Sequence, residues 1–170
     1  MFTVPATNPS LKRTIRPLYA QHQATPWGGF LDPEWDKEFD ILPGMVMARK
    51  EGEVFTPYTG AEGQVPFGLS ALFVAPRLGV DEMTDTSANL FTVWVGGADS
   101  AFEVLAPAFD QAADWEVPTD GSVVLLTGSA TAKLTPAGAT PANAVAELID
   151  VPSPDKIVVR SFRPVPATAP

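Results

Sequence analysis

Proline decides the fold class of this chain. Eighteen prolines and thirteen glycines recur along its 170 residues. Proline lacks the N–H that a helix interior needs and clashes with the preceding turn, while glycine lowers helix stability and supplies turns. Short runs of β-branched, aromatic and aliphatic residues lie between these breaks. The pattern predicts a mainly β protein, a small β-barrel or sandwich-like body with few short helices and an extended N-terminal arm. Apolar residues make up 45% of the chain. A globule of this length buries roughly 70% of its unfolded-chain surface, so it needs neither metal nor disulfide to stand alone.

Four segments follow from the spacing of breaks and charges. Residues 1–26 read as an extended N-terminal arm, interrupted by Pro5, Pro9, Pro17 and Pro26. Its centre, Leu11-Lys12-Arg13-Thr14-Ile15-Arg16, alternates between apolar and basic and is strand-capable without a local partner. Residues 27–40 form an acidic-aromatic connecting segment. Trp35 and Phe39 there share one face of a short helix expected to start after Asp32, with Pro33 at its first position. The alternating acids Asp32, Glu34, Asp36, Glu38 and Asp40 lack the turn glycine and closing glutamate of an EF-hand loop, so they read as a solvated acidic face. Residues 41–162 form the β-rich body, and residues 163–170 a C-terminal tail.

Within the body, Met45–Ala48 and Glu53–Tyr58 read as a hairpin turning at Arg49-Lys50-Glu51-Gly52, with Gly52 in the left-handed position. Pro57 ends the second strand or places it at an edge. Further strands are expected at Phe67–Val74, Leu90–Gly97, Phe102–Leu105, Ser122–Thr127, Ala130–Thr135 and Lys156–Phe162. Ala144–Val151 suits a strand or a short helix, and Ala108–Trp115 a helical turn. The stretch 81–87 reads as an exposed polar loop. Trp27, Trp35, Trp94 and Trp115 are expected to plug a core or an interface rather than form a sugar platform.

The side-chain inventory narrows the chemistry. There is no cysteine, hence no disulfide, thiolate metal site or thiol nucleophile. His22 is the single histidine, so one chain cannot build a catalytic triad or a His-rich metal site. No phosphate-binding loop or nucleophile elbow occurs, and no pair of carboxylates is singled out for glycosidase chemistry. The expectation is a non-enzyme with no cofactor and no metal. A net charge of −9 opposes sequence-independent nucleic-acid binding. Without a signal-peptide apolar region or a membrane-length run, the chain reads as soluble and not secreted by the standard route. Charge is unevenly spread. Residues 1–22 carry +3, residues 23–155 carry −15, and residues 156–170 carry +3. An acidic body thus has basic ends.

Several stretches of the body resemble the head-decoration, or capsid-cementing, proteins of tailed bacteriophages. These are Leu42-Pro43-Gly44-Met45-Val46, the hairpin Lys50-Glu51-Gly52-Glu53-Val54-Phe55, Gly68-Leu69-Ser70-Ala71-Leu72-Phe73, and Val151-Pro152-Ser153-Pro154-Asp155-Lys156-Ile157-Val158-Val159. The likeness spans residues 41–162, and the acidic-aromatic segment 27–40 departs from the smaller members. It implies a structural virion protein, made in the host cytoplasm, that binds the outer surface of the expanded capsid as a homotrimer at three-fold positions. Its partners would be the major capsid protein and itself, with no nucleic acid and no membrane. Leu11, Lys12, Arg13, Ile15 and Arg16 are the candidate capsid-contact residues, through strand addition and charge. The alternative is another virion module, such as a head-fibre base, a tail component or a carbohydrate- or receptor-binding domain.

Overall fold

A computed structural model describes residues 14–18, 25–35, 39–74, 90–96 and 100–162. They form eleven strands, β1 (Ile15–Pro17), β2 (Thr25–Leu31), β3 (Val46–Lys50), β4 (Val54–Pro57), β5 (Pro66–Ser70), β6 (Leu90–Val95), β7 (Ala101–Leu105), β8 (Leu125–Gly128), β9 (Leu134–Thr135), β10 (Ala146–Ser153) and β11 (Lys156–Ser161). The protein is mainly β, as proline and glycine spacing required. Its only described helical turn is the 3₁₀ turn Glu51–Glu53.

The strands make two sheets. One is a closed barrel in the order β2-β4-β3-β5-β6, and the other an open six-stranded sheet in the order β1-β7-β11-β10-β8-β9. The barrel closes because β2 pairs antiparallel with β6 along six residues and parallel with β4 at Phe30 and Leu31. Alternation places Phe91, Val93 and Val95 of β6 inside, beside Leu31, Met47 and Phe55. A second core lies between barrel and sheet. Val46 and Ala48 of β3 and Leu69 of β5 meet Phe102, Val104, Leu126, Ile157 and Val159 there. Each of these side chains other than Ala48 stabilises the fold by roughly 1.5–3 kcal/mol on full burial.

β3 and β5 therefore carry buried residues on both faces, which is why Met45–Ala48 is apolar without alternation. Two glycines weld the halves together. A Cβ at Gly128 would lie 2.7 Å from the Tyr58 carbonyl oxygen, and one at Gly96 would lie 2.2 Å from that of Ser161. Gly52, with φ +71°, takes the left-handed place expected of it. β4 ends at Pro57.

Local side-chain bonds explain where elements differ from expectation. At Asp32 the chain makes a turn, not a described helix. The Asp32 carboxylate accepts from the Glu34 N–H at 3.0 Å and from Lys50 Nζ, and its side chain is almost fully buried. So Asp32 is no part of a solvated acidic face, although Glu34 is exposed; Asp36, Lys37 and Glu38 lie outside the described residues. Over 108–115 the Asp110 carboxylate accepts from the Ala112 N–H, and the Trp115 indole donates to the Asp110 carbonyl at 2.7 Å. Such side-chain bonds compete with helix. In the alternating stretch 130–135, Ala132 turns to positive φ and offers its carbonyl to the Val46 N–H at 2.8 Å. Only Leu134 and Thr135 remain as strand. Residues 144–151 resolve in favour of β10, because β8 and β11 flank it. The expected loop 81–87 and tail 163–170 lie outside the described residues.

Replacing Gly128 with Ala should cost about 1–3 kcal/mol and lower Tm by about 2–10 °C, because the methyl meets backbone. Gly28→Ala, where a Cβ meets nothing within 4 Å, should stay within about 0.5 kcal/mol of wild type. Differential scanning calorimetry of the two variants checks the contrast.

Candidate functional site

Two of the five candidate contact residues, Ile15 and Arg16, are described, and both lie in β1. Leu11, Lys12 and Arg13 lie outside the described residues. β1 has a partner within the chain, since Ile15, Arg16 and Pro17 pair antiparallel with Val104, Glu103 and Phe102 of β7. This differs from the expectation of an unpartnered stretch, and long-range pairing is the reason. The partner strand is far away in sequence, where local pattern gives no sign of it.

Four kinds of contact anchor β1. The Leu105 N–H donates to the Thr14 carbonyl at 2.7 Å, and the Leu18 N–H to that of Ala101 at 3.0 Å. The buried Thr14 hydroxyl donates to the Pro43 carbonyl at 2.5 Å. Ile15 turns inward onto the sheet–barrel core, beside the Leu42-Pro43-Gly44 turn. Gly44 adopts φ +97°, and a Cβ there would come within 3.1 Å of Val104 and 3.5 Å of Ile15. The glycine is thus required both by the turn and by the docking of β1.

Arg16 supplies the fourth contact on the sheet's outer face. Its Nε lies 2.7 Å from Oε1 of Glu103, and Lys156 Nζ lies 3.2 Å from Oε2. The Glu103 side chain is only 7% exposed. Burial pushes its carboxyl upward, but hydrogen bonds and charge from Arg16 and Lys156 outweigh that and hold it below the ordinary glutamate value. One strand further on, Arg160 pairs with Glu147. The three described cations of the sequence's basic ends, Arg16, Lys156 and Arg160, are therefore all engaged in cross-strand ion pairs. The sequence had shown their charge but not their partners.

β1 is also the open edge of its sheet. Register directs the backbone groups of Thr14, Arg16 and Leu18 toward β7, and those of Ile15 and Pro17 away from it. Pro17 has no N–H to offer, so the edge is short and blunted. The opposite edge, β9, is bridged by Phe109 at Leu134.

The barrel presents a different chemistry. Arg49 lies over the rings of Trp27 and Phe67, 5.4 and 5.2 Å from their centroids, and pairs with Glu53. The Trp27 indole donates to the same carboxylate. Trp35 is buried, and Trp27, Trp94 and Trp115 are partly buried, each packed on one of the two cores. They serve as plugs, as expected. A groove of about 640 Å³ beside β3 and β4 includes Arg49 and Lys50, both already bound to carboxylates. Among the described residues no group of three or more His, Cys, Asp or Glu could hold a metal ion.

A family model described as phage cement protein matches residues 1–170 of this sequence. The chain belongs to the phage cement protein family. This makes it a structural phage protein that binds the capsid shell and a component of the virion. No curated protein and no solved structure matches the chain significantly. In this cement protein the Glu103 cluster is a structural clamp on the strand that follows the Leu11-Lys12-Arg13 segment.

Because the folded state lowers the Glu103 pKa, its stabilising effect is complete above the unfolded value of about 4.3 and is lost as pH falls below that through the lowered folded value. At pH 7, Glu103→Gln should cost about 1–2 kcal/mol, a modest figure because Arg16 is largely solvated. The gap should shrink at pH 3, below the unfolded value, where the unfolded chain already holds the proton. Urea midpoints at both pH values check this, and an equal gap at both would contradict it.

Proposed function

We propose that this cement protein binds the outer surface of the expanded capsid as a trimer at three-fold positions, and so stabilises the shell. The observation that carries the reading is the anchoring of β1. The segment Leu11-Lys12-Arg13 enters directly into a strand fixed by backbone pairing, by the Thr14–Pro43 bond and by the Glu103 clamp. An attachment point of that stiffness suits a segment that bears load between two bodies.

The division of charge supports the same reading. Arg16 is engaged with Glu103, which leaves Lys12 and Arg13 as the basic residues of this segment directed at a partner. Ile15 acts inward as a wedge under the strand. A basic, strand-capable segment fits an acidic edge of the major capsid protein, through backbone hydrogen bonds and charge. Three copies per trimer multiply a weak contact through effective concentration. The acidic remainder of the chain discourages non-specific adhesion.

The separable piece ends before Thr14. A cut after residue 26 would remove β1 and also Thr25 and Pro26, which pair with Val95 and Trp94 to close the barrel. Deleting residues 1–13 should leave the fold intact, with an unchanged circular dichroism spectrum. Binding to expanded capsids should fall by at least on the order of tenfold. Co-sedimentation with expanded capsids measures this, and undiminished binding by the folded truncation would contradict the role of the segment.

A further inference from the structure

The outer wall formed by β2 and β6 carries no charge. Its sequences are Thr-Pro-Trp-Gly-Gly-Phe-Leu and Leu-Phe-Thr-Val-Trp-Val, in a chain of net charge −9. Register places Pro26 opposite Trp94, Gly28 opposite Thr92 and Phe30 opposite Leu90. These pairs alternate with Trp27–Val93 and Gly29–Phe91, whose members face the barrel core. Gly28, Thr92, Phe30 and Leu90 of the first set therefore form the outward row, whereas Trp94 on the same side is covered by the open sheet, its ring centroid 6.0 Å from that of Phe102. Gly28 has open space above it, so this part of the wall is flat.

Leu90 is 64% exposed and Phe30 38% exposed. They are directly opposed neighbours, and Val54 of β4 extends the same row, because Phe30 also pairs with Val54. Two other exposed apolar residues stand next to acids in the sequence. Val117 follows Glu116, and Ile149 precedes Asp150.

Electrostatics selects the occupant. Two copies of a chain with charge −9 repel each other, and a contact costs least where neither surface carries charge. Interface cores are depleted of charged residues and enriched in aromatics. A basic segment fits a charged partner, whereas a neutral apolar wall fits another copy of itself. In a three-fold ring only residues at the axis meet their own equivalents, so a small apolar row can bury itself there, while contacts away from the axis pair unlike patches.

We propose that the β2–β6 wall, centred on Phe30 and Leu90, is the face through which copies of this chain meet. This rests on the trimer reading above and gives it a location. Contacts between copies bury Leu90 first, with Phe30 and Val54 at its side.

Leu90→Glu tests it. The side chain is exposed, so the fold should tolerate the charge. Sedimentation equilibrium at micromolar concentration should show a trimer for the wild type and a monomer for Leu90→Glu, with equal circular dichroism spectra. Val123→Glu, which charges another exposed apolar residue, should remain trimeric. The monomeric variant should bind expanded capsids on the order of 10²-fold more weakly or worse, through lost multivalency. A trimer that survives both Leu90→Glu and Phe30→Glu would overturn the assignment of the face and leave the trimer standing. A wild type that is monomeric throughout would overturn the trimer reading and the face with it. Capsid binding lost while the trimer persists would assign the wall to the capsid and overturn the proposal.

Discussion

Val46–Ala48 of β3 and the whole of β5 are buried on both faces, and the rest of the structure follows from that constraint. One side of each strand faces the barrel core and the other the core shared with the open sheet. Met47 points one way, and Val46 and Ala48 the other. Barrel and sheet consequently cannot loosen independently, since parting them would expose Val46, Leu69, Phe102, Val104 and Ile157 together. The close approaches at Gly96 and Gly128 are the backbone form of the same union.

The sheet uses charge at its edge, where apolar burial runs out. β1 is three residues long, with one side chain facing the core. Pairing of that length is weak alone. Glu103 compensates by accepting from Arg16 on one neighbouring strand and Lys156 on the other, so a single carboxylate ties three strands. Left without those partners, the Glu103 carboxylate would cost about 1–3 kcal/mol, a figure kept modest by the solvent around Arg16. The clamp thus both fixes β1 and makes its own partners indispensable.

Much of this was legible in the sequence, and the exceptions have physical causes. β6 was visible because Phe91, Val93 and Val95 alternate with Thr92 and Trp94. The β3–β4 hairpin was visible because Gly52 marks a left-handed turn. β2 was hidden. Its proline and two glycines look like loop, yet Gly29 is needed because a Cβ would sit 2.2 Å from the Glu53 carbonyl oxygen, and Gly28 keeps the outer wall flat. The docking of β1 was hidden for another reason, since all the barrel strands lie between Ile15 and Val104 in the sequence. Arg16 was legible as a cation but not as a partner of Glu103, because local sequence does not encode cross-strand register. Lys12 and Arg13 lie outside the described residues, and their contact with the capsid stands as a proposal.

The account holds that adhesion is directional. The segment ahead of β1 faces the shell, the uncharged β2–β6 wall faces other copies, and the acidic surface faces solvent. Electron cryo-microscopy of expanded capsids decorated with this protein tests that arrangement most directly. The account predicts density outside the shell at the three-fold positions, with the β1 edge nearest the capsid and Phe30 and Leu90 turned toward the axis. Density inside the shell, or an outer position with the β1 edge pointing away from the capsid, would contradict it.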